Sequence, residues 1–233
     1  MLISNISFHR GPKIVTDGLV LYLDAANPKS YTGTGTVWKD LSGNSNDATL
    51  INGPTFDSDN AGSIVFDGVN DYVQVSPITT ISPTGTISLW FKSSISWDGV
   101  ATNIRLSGIN PTWEFGRTGH NNSTDNGFIA YDLGGSDNLS TVTNSFSNQR
   151  WYCITVIWDV STLVSSVYIN GELDNTGNCF DSSRNGILQI GRSPGNTGQL
   201  YSGRMSNYKY YDRALTIEEI QQNYNATKSR FEL

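Results

Sequence analysis

Between Asp40 and Asp47 the chain reads DLSGNSND, so that Asp40, Asn44 and Asn46 stand among other oxygen-bearing side chains crowded around Gly43. A hard cation such as Ca²⁺ needs such a set: carboxylate, amide and hydroxyl oxygens gathered to one point by a flexible turn. The same residue types also build turns with no ion, because Asn and Asp side chains bond their own backbone two residues on. Both readings stand. A second group, Trp97, Trp113 and Tyr131 with Asn121, Asn122 and Asp125, falls in the polar stretch 93–148. Its chemistry is that of sugar recognition, in which an aromatic ring meets the C–H face of a pyranose while amides and carboxylates take its hydroxyls. The alternative is that the two tryptophans close the edge of a core. Nucleophilic chemistry has little to stand on. His9 and His120 lie near no nucleophile-elbow sequence, and each reads most simply as a surface residue. Two His and two Cys at unrelated spacings do not make a zinc site. Cys153, inside an apolar run, reads as a buried free thiol more readily than as half of a disulfide with Cys179.

The elements that must position these groups are strands. Charged residues make up only 15% of the 233 residues, whereas glycine alone numbers 23 and Asn, Ser and Thr are abundant, a composition of short strands and many turns. One large all-β domain is the simplest organisation. The net charge of −6 argues against a sequence-independent grip on nucleic acid, which needs Lys and Arg against phosphates, and against anionic membranes. No apolar run is long enough to span a bilayer, and the first residues lack the pattern of a secretory signal.

Along the chain, residues 1–16 form an arm carrying Leu2, Ile3, Ile6 and Phe8, read as an edge strand or as an assembly arm; the domain proper is expected over 17–233. Gly18–Asp24 is a strand, and Tyr31–Thr36, rich in Gly and Thr, is a loop. Gly62–Val75 reads as a β-hairpin, two short strands about an Asp67-Gly68-Val69-Asn70-Asp71 turn, with Ile64 and Phe66 on one face and Gly68 supplying a positive φ. In Gly85–Lys92, Ile87, Leu89 and Phe91 alternate with Ser88, Trp90 and Lys92, a strand with one buried face. Short strands are expected at 103–106, 112–115 and 128–132, with a loop over 133–148. Trp151–Asp159 is apolar on both sides and belongs at the centre of a sheet. Ser165–Leu173 turns at Asn170-Gly171, and strands follow at 187–191 and 201–212. Trp38, Trp90, Trp151 and Trp158 are assigned to the core. The one helix starts at the capping box Thr216-Ile217-Glu218-Glu219, with Ile217, Ile220 and Tyr224 as its apolar stripe.

Five segments in this order, WKDLSGNSNDATLING, SIVFDGVNDYVQV, TISLWFK, WYCITVIWD with VYINGEL, and LQIGR through YSGRMSNYKYYDRALTIEEIQQNY, resemble the laminin-G-like jelly-roll module of the concanavalin-A-like lectin/glucanase superfamily. The resemblance implies an all-β, two-sheet antiparallel jelly-roll β-sandwich with one short C-terminal helix. It also implies Ca²⁺ near the loops at one end, at positions matching Asp40, Asn44 and Asn46 and, in the second turn, Asp67, Asn70 and Asp71. Asp67 reads equally as a turn former. The superfamily's glucanases carry a Glu-x-Asp-x-x-Glu type strand. None of the five glutamates here stands in such a strand, so no catalytic residue is expected. The leading segment DGLVLYLDAANPKSY is similar to modules in virion proteins of tailed bacteriophages. That similarity implies a non-enzymatic virion structural or decoration protein, on the particle surface, touching capsid or tail proteins and copies of itself. The alternative is a carbohydrate-binding module for adhesion to cell-surface glycans. Both leave nucleic acid and membrane aside.

Overall fold

In the computed structural model, residues 12–94, 104–109, 113–117, 129–132, 136–140, 146–147, 149–179, 186–193 and 196–231 are described. Strands form where β-branched and aromatic residues alternate between turn formers. In chain order they are β1 (Leu19–Asp24), β2 (Val37–Trp38), β3 (Ala48–Ile51), β4 (Thr55–Asp57), β5 (Ser63–Asp67), β6 (Tyr72–Val75), β7 (Thr84–Ser93), β8 (Ile104–Ile109), β9 (Trp113–Arg117), β10 (Ile129–Asp132), β11 (Ser136–Ser140), β12 (Trp151–Asp159), β13 (Val164–Ile169), β14 (Glu172–Asn178), β15 (Leu188–Ile190), β16 (Arg192–Ser193), β17 (Asn196–Leu200) and β18 (Ser202–Tyr211), followed by helix α1 (Ile217–Thr227). One sheet runs β14-β13-β12-β7-β18-β5-β4, with β1 also on β18; the other runs β11-β10-β9-β8-β15-β6-β3-β2. All pairings in both sheets are antiparallel. This is the two-sheet sandwich that the sequence leads one to expect, with β16 and β17 paired apart from the two large sheets and, among the described residues, one α-helix, at the C-terminal side.

β18 organises the first sheet. β7 lies along one edge of it, while β5 and β1 share the other edge end to end, β5 against Ser202–Met205 and β1 against Asn207–Tyr211. At the junction, the Ser206 hydroxyl donates to the Gly62 carbonyl (2.9 Å) and the Ser206 carbonyl accepts from the Ala25 N–H (2.8 Å). No backbone group is wasted where one neighbour gives way to the next.

Gly62–Val75 is not a hairpin. β5 pairs with β4 and β18 in one sheet, whereas β6 pairs with β3 and β15 in the other. The Asp67–Asp71 segment is therefore an arch from sheet to sheet. Ile64 and Phe66 are buried, as expected, and Val73 and Val75 of β6 join them in the same core cluster. Gly68 does take a positive φ of 76°, and a Cβ there would lie 2.7 Å from that of Ser202.

β7 is buried on both faces rather than one. Its inner residues Ile87, Leu89 and Phe91 join the core, and Trp90 on the outer face is equally inaccessible. The cover is α1 and the turn after it: the Trp90 ring stacks on Tyr224 and Phe231, with centroids 5.6 and 4.0 Å away, and its Nε1 donates to Thr227 Oγ1 (2.9 Å). The helix begins at the expected capping box, but its buried stripe is Ile220, Asn223 and Thr227, with Ile217 left 43% exposed. Asn223 is inside because its amide donates to the Tyr211 hydroxyl while its oxygen accepts from the Val15 N–H. The stretch 133–148 is not all loop, since β11 runs from Ser136 to Ser140. Trp38, Trp90, Trp151 and Trp158 are buried, and Cys153, also inside, forms no disulfide with Cys179. Among the described residues no helix is long and apolar enough to cross a membrane.

Candidate functional site

The oxygen-rich loop after β2 services a defect in β1. The register of β1 on β18 shifts between Leu19 and Leu21, which frees the Val20 carbonyl from the ladder. Ser42 Oγ (3.0 Å) and Asn46 Nδ2 (2.9 Å) donate to that carbonyl, and Asn44 Nδ2 donates to the Leu19 carbonyl (2.9 Å). Asp40 is engaged on both oxygens: Oδ1 accepts from the N–H groups of Tyr22 and Ser42, Oδ2 from the Ser42 hydroxyl and the Asn46 N–H. The two asparagines thus turn N–H groups, not oxygens, toward their partners. As folded, the loop is closed by its own hydrogen bonds and does not fit a Ca²⁺ cage.

The arch behaves alike. Asp67 Oδ1 accepts from the N–H groups of Val69, Asn70 and Asp71, which lowers its pKa; Asp71 Oδ2 accepts from the Asp67 N–H. Burial raises the Asp71 pKa. Asp67 lies opposite Ser202 at one end of β18, and the Asp40 loop lies by Leu19 and Val20, next to Tyr210 and Tyr211 at the other. One ion cannot be shared between the two groups. Among the described residues no cluster of three or more His, Cys, Asp or Glu side chains could hold a metal.

Of the residues assigned to sugar binding, Trp97, Asn121 and Asp125 lie outside the described residues, as do Asn122, His9, His120 and the arm residues Leu2, Ile3, Ile6 and Phe8. Trp113 opens β9 opposite Asp132, and Tyr131 in β10 stands opposite Glu114. Both are on neighbouring strands near the β11 margin of the second sheet.

At the other margin, where β4 and β2 are the edge strands, the segment between β1 and β2 closes the open side of the sandwich. A cleft of about 500 Å³ opens there, lined by Pro28, Lys29, Ser30, Thr32, Thr34, Gly35, Thr36, Val37 and Lys39. Its frame is rigid. Ser30 Oγ accepts from the Asp24 N–H and donates to the Lys39 carbonyl, the Lys39 N–H donates to the Ser30 carbonyl (2.8 Å), and the Thr36 carbonyl accepts from the Leu50 N–H (2.7 Å). Buried Tyr31 packs on Phe56 of β4, with centroids 5.7 Å apart, and its hydroxyl donates to the Gly35 carbonyl (2.8 Å); burial raises its pKa. The rim is wet: Lys29, Thr32, Thr34, Thr36, Val37 and Lys39 are at least partly exposed. Among the described residues, no ion pair engages either ammonium group and no hydrogen bond takes the Thr34 or Thr36 hydroxyl. In the sequence this Thr/Gly run reads as a plain connection, and the flanking lysines are the one signal that marks it. A shallower hollow of about 390 Å³ lies near β18, between Val20, Asn46, Ile78 and Asp212.

The family described as the Concanavalin A-like lectin/glucanases superfamily, of laminin G type, matches residues 67–221. Among solved structures, domain 4 of AbnA, an extracellular arabinanase from Geobacillus stearothermophilus in complex with arabinotriose, superposes with a TM-score of 0.69 at 15% identity, over 88% of this chain and 98% of that one. The binding domain of Paraclostridial Mosquitocidal Protein 1 gives a TM-score of 0.69 at 18% identity, over 91% of this chain and 52% of that one. Trypanosoma rangeli sialidase gives 0.63 at 15%, over 91% of this chain and 33% of that one. The chain thus spans about half of the second and a third of the third. No curated protein matches it.

Proposed function

The chain belongs to the concanavalin A-like lectin/glucanases superfamily, and from that premise we propose that it is a lectin-like carbohydrate-binding module that holds glycans without cleaving them. The observation that carries this reading is the cleft at Pro28–Lys39, a hydrogen-bonded frame with a wet rim of unengaged hydroxyl and ammonium donors. Its volume falls within the range of small-ligand sites, and donors that need no rearrangement cost little to engage. Two of the three structures compared come from proteins named for acting on glycans, which supports the reading at the level of fold. Display on a bacteriophage particle is a setting for the same module; its support is the resemblance of Asp17–Tyr31 to virion modules, and there the bound sugar would belong to a cell surface.

A glycan array probed with the full chain tests the proposal. Retention of at least one glycan series is expected, lost in Thr34→Trp, which fills the mouth of the cleft. Loss in Trp97→Ala or Trp113→Ala instead would move the site to the 93–148 stretch, with the module reading intact. A silent wild type overturns the reading. Because the Asp40 loop satisfies itself, EDTA is expected to leave both binding and the melting temperature unchanged.

A further inference from the structure

We infer that the cleft takes an acidic saccharide, one bearing a carboxylate or a sulfate group; this rests on the carbohydrate-binding reading above. The chain carries a net charge of −6, so an anionic ligand is repelled by the molecule as a whole and needs a local reason to bind. The cleft provides one: both of its ionisable residues are cationic, Lys29 and Lys39, and among the described residues no Asp or Glu lines it. The nearest carboxylates in sequence are spoken for. Asp24 is held by Arg230 in a two-pronged pair (2.8 and 3.0 Å), and Asp40 accepts four hydrogen bonds, three of them from within its own loop. The two lysines therefore project a field that no carboxylate in the cleft wall cancels, and a concave wall concentrates it.

Geometry fixes where the two lysine stems begin. Lys39 and Ser30 are tied backbone to backbone, and the Ser30 hydroxyl binds the Lys39 carbonyl. The Lys29 N–H donates to Asn27 Oδ1 (3.0 Å). The stems of both lysines thus start from one pinned pair of segments bordering the same opening. Pro28 and Val37, the latter 49% exposed, offer apolar surface for ring C–H groups, and Thr34 and Thr36 offer hydroxyls. A neutral sugar would use the hydroxyls and the apolar patches and leave both lysines idle. An acidic one uses all three.

The test is isothermal titration of the full chain with three oligosaccharides matched in length: a uronic acid series, a sulfated series and their neutral counterpart, with inorganic sulfate as competitor. At least one acidic series should bind about tenfold or more tighter than the neutral one at low salt. The margin should shrink as salt rises from about 50 to 500 mM, as screened contacts require. Lys29→Gln/Lys39→Gln should abolish the preference while leaving the melting temperature unchanged, since neither ammonium group supports the fold. Which acidic series wins distinguishes carboxylate from sulfate recognition. Equal binding of neutral and acidic ligands, a preference that survives the double substitution, or competition by sulfate as strong as by the sulfated sugar each overturns the inference and leaves the carbohydrate reading standing. If none of the three binds, the inference falls, and the carbohydrate reading falls with it only if the glycan array is silent as well.

Discussion

Lys209 sits in β18 with only 1% of its surface exposed, beneath the C-terminal turn. Its Nζ donates to Asn207 Oδ1 (2.7 Å) and lies 5.4 Å from the centroid of the Tyr22 ring. Around it stand Cys153, Asp24 and Arg230. Burial pushes its pKa down from 10.5 to about 8, against the pull of the Cys153 and Asp24 charges. Between pH 8 and 10.5 the unfolded chain therefore holds a proton that the folded one has released, and stability must rise with pH as this lysine titrates. Below pH 8 the buried charge costs on the order of 3 kcal/mol. The Cys153 thiol, whose pKa burial raises, and the buried tyrosines act in the opposite direction once the pH passes their ordinary values, because the folded chain then keeps protons that the unfolded one has lost and stability falls. The expected result is a melting temperature that climbs from about pH 7 to 9 and then falls, with Lys209→Met flattening the climb. A decline that starts at pH 7 in the wild type would contradict this account. None of this is legible in the sequence, where Lys209 is one polar letter in YKYYD. One of the charges that acts on it, Arg230, comes from beyond the helix.

At the scale of the element, α1 shows what local rules capture and what they miss. Its start is readable because a capping box is written within four residues. Its buried stripe is not, because Asn223 and Thr227 go inside to satisfy Tyr211 and Trp90, residues of distant strands. The box itself is lopsided. The Glu219 N–H to Thr216 Oγ1 bond is long at 3.4 Å, while Glu219 accepts from the Thr216 N–H at 2.9 Å and takes both Arg213 guanidinium nitrogens at 2.6 and 2.8 Å. Glu219→Ala should therefore cost more than Thr216→Ala, about 1–2 against about 0.5–1 kcal/mol once partial exposure of the ion pair is discounted. Urea titration of the two variants gives the order, and a larger loss for Thr216→Ala would contradict it. β11 escapes a sequence reading for a different reason: SDNLS carries one apolar residue, Leu139, and its strand state is imposed by β10.

Across the whole molecule, the sandwich is legible in the sequence and the wiring is not. Alternation places Ile64 and Phe66 inward correctly, yet a hairpin and an arch demand the same inward faces, so no local pattern could say that β5 and β6 belong to different sheets. The cleft escapes notice because it is made by the frame around Thr34 and Thr36 and not by any signature within them. The shared edge of β18 has a further consequence, in the order of events. Strands near the start of the domain, β1 and β5, wait for a partner made near its end, and Tyr211 bonds Val15 across 196 residues of chain. Such long loops must close before the central strand repays them, so the search is slow and leaves open strand edges in the meantime. Refolding followed by the fluorescence of Trp90, which is sealed only when β18 and α1 have both arrived, should take from many milliseconds to seconds and pass through a collapsed species that clumps as concentration rises. Completion in under a millisecond would mean that the long closures are not what limits it.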